Sequence, residues 1–217
     1  MAACYYAYGL LETGEVARAY ELTQAAFALR LKANLRYVAE YGLAFGMTSI
    51  ATGRLSEARD ALTYTIQIVQ ALGEAELQVW GHTFLDFLES HLCSAFAFEG
   101  DWTSALQHAK NAIKWRFETN NFRGLHAPRL RHWLEVEALL RGGETELAQE
   151  LLDKLEEVVQ EGERLEISVL QARAVLETWN EHIEVALQLL EKAKTIAVRL
   201  GLPLKDDVLA DLLANKS

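Results

Sequence analysis

This chain of 217 residues has little of what cross-links or interrupts a backbone: two cysteines and two prolines. Cys4 and Cys93 are too few for a disulfide framework and lack metal-ligand spacing, so they read as free buried thiols in a reducing compartment. Positive charge is also scarce. Twenty-one Lys and Arg face 31 Asp and Glu, for a formal net charge of −10. That balance argues against nucleic acid and against anionic membranes as partners. No apolar run approaches the roughly 18 residues of a membrane helix. No basic region precedes the apolar N-terminal residues, as a secretory signal requires. The expected setting is cytoplasmic. Phosphate-cradling glycine loops, HExxH and the nucleophile elbow are all missing. The six histidines, His82, His91, His108, His126, His132 and His182, are scattered. The expectation is a non-enzymatic protein with no cofactor and no metal.

What is abundant is helix-forming sequence. Half of the residues are apolar (51%), and stretches rich in Ala, Leu, Glu, Gln, Arg and Lys separate glycines placed like punctuation. A Gly followed five positions later by Ala recurs as Gly14…Ala19, Gly53…Ala58, Gly100…Ala105 and Gly143…Ala148, with a degenerate copy at Glu181…Ala186. Successive alanines are 39, 47, 43 and 38 residues apart. A period near 40 residues without strand signals predicts stacked helical hairpins, an α-solenoid.

Five hairpins follow, over 1–33, 34–73, 74–121, 122–162 and 163–202, with a capping helix at 203–217, all in one domain. The pattern predicts helices over Val16–Leu31, Leu35–Thr52, Leu55–Leu72, Ala75–Glu99, Trp102–Thr119, Pro128–Arg141, Thr145–Glu161, Leu165–Trp179 and Ile183–Leu200, after a first helix that stops near Gly14. Gly sits where the chain reverses, often at positive φ, and Gly73 is expected to be a left-handed cap of the fourth helix. The Ala one turn into each second helix is small because the paired helices cross closely there. Leu147, Leu151, Leu152 and Leu155 show the buried stripe at three- and four-residue spacing.

These positions resemble the tetratricopeptide repeat. That family has a small residue seven before the turn Gly, an apolar one two after it and Ala five after it. The small positions are Ala7, Gly46, Cys93 and Ala174, with Val136 departing. The apolar ones are Val16, Leu55, Trp102 and Ile183, with Thr145 departing. Seven residues beyond the spacer Ala, Ala26, Ala112 and Ala193 are small, whereas Thr65 and Leu155 are larger. The resemblance covers essentially the whole chain and implies a right-handed superhelical solenoid. The intervals exceed the usual period of about 34 residues, as helices or linkers about one turn longer would explain. Such elongated repeats resemble the sensor arrays of bacterial ATPase-linked regulators and cyclases, the segment from Leu130 to Gly143 most of all.

In that family the first helix of each hairpin lines a concave binding surface. Transferred here, the resemblance implies a groove of Tyr8, Leu43, Met47, Phe87, Ser94, Trp133, Glu137, Arg141 and Gln171, with Cys4, Ile50, Ser90, Ala97, Val175 and Thr178 beside them. The carboxylate-clamping residues of chaperone adaptors are missing. The mostly apolar lining suits an amphipathic helix or an apolar ligand. A cluster of cations, Lys114, Arg116, Arg123, Arg129 and Arg131, with Lys110, His126 and His132 beside it, either pairs with carboxylates of adjacent helices or forms a basic patch for an anionic partner.

The first helix carries no charge before Glu12, whereas the tail from Lys205 to Lys216 is polar. Solenoid ends normally need a polar outer face. The asymmetry predicts that preceding repeats or a second copy cover the N-terminal hairpin. The expected function is binding of a protein or peptide, as the sensor or scaffold part of a larger regulator. A free-standing homodimeric adaptor and a small-molecule effector sensor are the alternatives.

Overall fold

In a computed structural model, residues 2–124 and 129–202 are described. The expected capping helix at 203–217, the predicted helix start at Pro128, and His126 lie outside the described residues. The chain forms two compact units, Met1–Asn121 and Phe122–Ser217.

The first unit contains α1 (Ala2–Glu12), α2 (Val16–Ala28), α3 (Leu35–Ala51), α4 (Leu55–Gln70), a single turn α5 (Glu74–Glu76), α6 (His82–Phe98) and α7 (Trp102–Thr119). The second contains α8 (His132–Arg141), α9 (Thr145–Val158), α10 (Arg164–Trp179) and α11 (Ile183–Arg199). Among the described residues there is no strand. Helices pair as α1–α2, α3–α4 and α6–α7 in the first unit, and as α8–α9 and α10–α11 in the second. Each unit is a stack of hairpins: α3 also packs on α1, α2 and α6, and α10 on α8 and α9.

The recurrent spacer is a geometric necessity of the turn. Gly14, Gly53, Gly100 and Gly143 all have φ between 75° and 80°, a left-handed conformation that costs glycine nothing. The next residue donates its N–H to the carbonyl five positions back: Glu15 to Leu10, Arg54 to Ser49, Asp101 to Phe96 and Glu144 to Leu139, at 2.8–3.0 Å. With the glycine N–H bonded three residues back, this is the paired closure of a Schellman motif. The residue that closes one helix also opens the next. Its carbonyl accepts from the N–H of Ala19, Ala58, Ala105 or Ala148 at 3.0–3.1 Å. The alanine therefore falls five after the glycine, at the first complete bond of the second helix, and all four are fully buried against the partner helix.

The degenerate fifth copy keeps this geometry. His182 donates to Glu177 and accepts from Ala186, while Glu181 holds the left-handed position at φ 67°. The small positions of the first helices are tight. A Cβ on Gly46 would lie 2.5 Å from Leu62 Cδ2. One turn earlier, a Cβ on Gly42 would overlap the Thr65 side chain. The larger Thr65 is thus matched by the missing side chain of Gly42.

The second helices are one-sided. On α9, Ala148, Leu151, Leu152 and Leu155 are buried, whereas Glu146, Glu150, Asp153, Glu156 and Glu157 face solvent. Gly73 differs from expectation. It is not at positive φ; α4 ends at Ala71 in right-handed geometry, and the Gly73 carbonyl instead accepts from Glu76 and Leu77 to start the next helix. That start continues through a π-helical stretch, Leu77–Gly81, into α6. It supplies the extra length of the 47-residue interval. Asn120, at φ 50°, closes α7.

A non-glycine residue held left-handed costs about 1–2 kcal/mol. Glu181→Gly should therefore raise the urea midpoint by the equivalent of about 0.5–1 kcal/mol, and Gly100→Ala should lower it by about 1–2 kcal/mol. Equal effects of either sign at both positions would contradict the shared turn geometry.

Candidate binding face

In the first unit, α1, α3 and α6 carry the expected groove residues Tyr8, Leu43, Met47, Phe87 and Ser94, and every one of them is buried. They do not present an open lining. Each of these helices is covered by others of its unit, so α3 buries every residue from Val38 to Ile50 except Tyr41. In the second unit Trp133 and Glu137 are buried on α8, and Gln171 is half-buried on α10. Arg141, at the end of α8, reaches back to Glu137 with Nη2 2.7 Å from Oε1.

The buried faces are more polar than an ordinary core. On α6, Asp86, Glu89, Ser90, His91 and Ser94 are all buried. Arg116 of α7 clasps Asp86 through Nε at 3.1 and 3.2 Å and through Nη2 at 2.7 Å, with 1% and 0% of the two side chains exposed. A planar guanidinium met edge-on by a carboxylate is the geometry in which a buried charge is tolerated. Glu89 lies 2.5 Å from His108 Nδ1, and the Phe96 ring stacks on the His108 ring with centroids 5.2 Å apart. Ser94 Oγ donates to the Ser90 carbonyl.

Three buried side-chain oxygens on these first helices, Glu40 Oε2, Ser49 Oγ and Ser90 Oγ, stand apart from these pairs. Glu40 on α3 is 4% exposed, and its Oε2 has no hydrogen-bond partner; Ser90 Oγ on α6 is likewise buried and unpartnered. Burial pushes the Glu40 pKa up, against the opposing charge of Arg36. Burial also pushes the Cys4 thiol up to about 11, with the Glu40 charge adding to the effect. Cys4 is therefore a protonated, weakly nucleophilic thiol at neutral pH. Sequence reasoning placed Ser90 beside the groove but missed Glu40. The signal was there: Glu40 lies three before Leu43 and seven before Met47, on the same helical stripe.

The basic residues divide between the units. In the first, Arg116 is interior and belongs to no surface patch. Lys114 is exposed, near Glu118 and over the Trp115 ring, which stacks on His82 at 4.7 Å. In the second, Arg123 donates to the Val158 carbonyl and to Glu163, at 2.6 and 2.7 Å. Arg129 and Arg131 are half-buried. Among the described residues, no three His, Cys, Asp or Glu side chains are grouped to hold a metal ion, and no helix is long and apolar enough to cross a membrane.

No protein-family model matches the chain, and no curated protein matches it. Solved structures do. Two crystal structures of a Podosopora anserina kinesin light chain-like protein with nearly identical TPR-like repeats, one of them a single-site glutamine-to-methionine variant, match at TM-scores of 0.59 and 0.57. Identity is 16% in both cases, and each match covers 92% of this chain and 95% of the other. The fold is that of TPR-like helical repeats.

Removing one partner of a buried ion pair costs about 3–5 kcal/mol. Asp86→Leu or Arg116→Met alone should lose that much, and the double variant much less than their sum, in a urea-denaturation cycle. Additive losses would show the two side chains to be energetically independent. For Glu40 the folded-state pKa lies above the unfolded value, so the folded chain binds the proton more tightly. The native state is penalised once pH exceeds the ordinary value of 4.5, and the penalty vanishes below it. Glu40→Gln should therefore stabilise the protein by about 1–3 kcal/mol at pH 7, with the gain fading as pH falls through 4.5. A pH-independent difference would rule out the buried carboxylate as its cause.

Proposed function

We propose that this chain is a protein-binding scaffold whose first unit takes a peptide, in amphipathic helical form, on the face built from α1, α3 and α6. The observation that carries the reading is the set of orphaned polar atoms on these helices, Glu40 Oε2 and Ser90 Oγ with Ser49 Oγ beside them. An unsatisfied buried polar group costs about 1–3 kcal/mol, and such groups are few in folded chains. Both lie on first helices: Ser90 is at a position that the repeat resemblance places beside the groove, and Glu40 lies three residues before Leu43 on the same helical stripe. A peptide donor such as an amide or an ammonium group would satisfy Glu40, and apolar side chains would meet Leu43, Met47 and Phe87. Because these side chains are buried, capture is coupled to local opening of the face, and the observed affinity is reduced by the fraction of chains that are open.

The wider setting is a cytoplasmic sensor or scaffold segment of a larger regulatory protein. Repeat intervals of 38 to 47 residues support it, since they match the elongated repeats of that kind of array.

Substituting Met47 or Phe87 would damage the core, so the test uses the orphaned groups. Peptides selected by phage display on the immobilised chain are titrated by fluorescence anisotropy against the parent protein, Glu40→Gln and Ser90→Ala. The expected result is at least tenfold weaker binding by one or both variants with thermal stability unchanged or raised. Undiminished affinity in both variants, or failure of any peptide to bind, would reject this face as the binding site.

A further inference from the structure

The joint between α2 and α3 carries a surface that none of the preceding roles uses. Four large apolar side chains fall within nine residues there: Leu29, Leu31, Leu35 and Tyr37, exposed by 57%, 81%, 46% and 38%. Scattered exposed leucines are ordinary, but four large exposed apolar side chains within nine residues of one connection are not.

Its charge is the reverse of the rest of the chain. From Leu22 to Ala39 there is no Asp or Glu, while Arg30, Lys32 and Arg36 contribute three positive charges to a protein of net −10. Arg36 is exposed, and its charge also acts on Glu40 four residues along α3. Arg30 is held in place: its guanidinium lies over the Phe27 and Tyr64 rings, 4.3 and 5.3 Å from their centroids, and Nη1 donates to the Phe27 carbonyl. Within the joint, the Ala33 N–H bonds the Arg30 carbonyl at 3.1 Å, and the Asn34 side chain caps α3 by accepting from the Tyr37 N–H at 3.1 Å.

We infer that this joint is a docking surface for an acidic amphipathic helix of another protein. Leucine-type side chains of that helix would cover Leu29, Leu31, Leu35 and Tyr37, and its carboxylates would meet Arg30 and Arg36. The charge decides among occupants. A second copy of this chain brings another −10 to the encounter, and the same net charge opposes an anionic bilayer, whereas a short acidic helix presents its charge only where the cations are. The inference goes beyond the peptide face proposed above: it uses the α2–α3 connection and the first turn of α3, whereas that face uses Glu40, Leu43 and Met47 further along the helix.

The test uses the full chain and two labelled probes of about 18 residues, five helical turns, with Leu on one face and either Glu or Lys on the other. Fluorescence anisotropy is expected to show binding of the Glu probe that is at least tenfold tighter than that of the Lys probe. Leu31→Glu should weaken it at least tenfold, and Arg36→Glu should weaken it severalfold. The inference is overturned if the Glu probe does not bind or if both probes bind equally. It is also overturned if Leu31→Glu has no effect, if anionic phosphatidylserine vesicles bind through Leu31 in place of the peptide, or if light scattering shows a dimer that Leu31→Glu abolishes. Loss of binding in Ser90→Ala, on α6, would overturn it as well and assign the probe to the first-helix face.

Discussion

The chain reverses direction five times through one hydrogen-bonded arrangement, in which a single residue both seals the helix behind it and opens the helix ahead. A left-handed residue turns the backbone. The next N–H reaches back five residues, and its carbonyl starts the following helix. No spare residue separates the two helices of a hairpin, so their rotational phase relative to each other is set by backbone bonding alone. Everything downstream inherits that phase: which residue faces its partner, where small side chains are obligatory, and which stripe of each second helix remains wet. Gly46 against Leu62 and Gly42 against Thr65 show how little tolerance is left once the phase is set.

That rigidity has an energetic counterpart inside the first unit. A core assembled at such close range leaves misplaced polar groups little room to move, so each must find a partner or remain as a defect. Asp86 with Arg116 and Glu89 with His108 are the solved cases. Glu40 and Ser90 are the unsolved ones, and both would be replaced at no cost to the fold if stability were the only demand. The outer joint at Leu31 shows the converse: apolar groups left in water where a shorter connection would suffice. Excess polarity inside and excess apolarity outside both point toward partners, by separate physical routes.

Much of this was legible in the residues. The Gly…Ala spacer marks every turn because each of its members is demanded by backbone geometry, and the helix boundaries of α7 follow from Asp101 and Asn120 directly. Even the degenerate copy at Glu181 declares itself through Ala186. The groove was less legible, for a definite reason. Helical periodicity tells which residues share a stripe, not whether a neighbouring helix will cover it, and the burial of Leu43 and Phe87 depends on contacts between hairpins. Arg116 was unreadable for the same cause: its partner Asp86 lies 30 residues away, and nothing local distinguishes it from the exposed Lys114. Gly73 failed differently, since a glycine can end a helix or begin one.

The π-helical stretch from Leu77 to Gly81 bears on how such a chain accommodates change in length. A wider helical turn takes up surplus residues upstream of the hairpin, so α6 still arrives at Gly100 with Cys93 facing inward. Insertions in this segment would be absorbed before they reach the crossing point, much as a slack loop of rope leaves the knot undisturbed. Repeat length is thereby uncoupled from repeat register, and a lineage can lengthen one hairpin without having to redesign its neighbours.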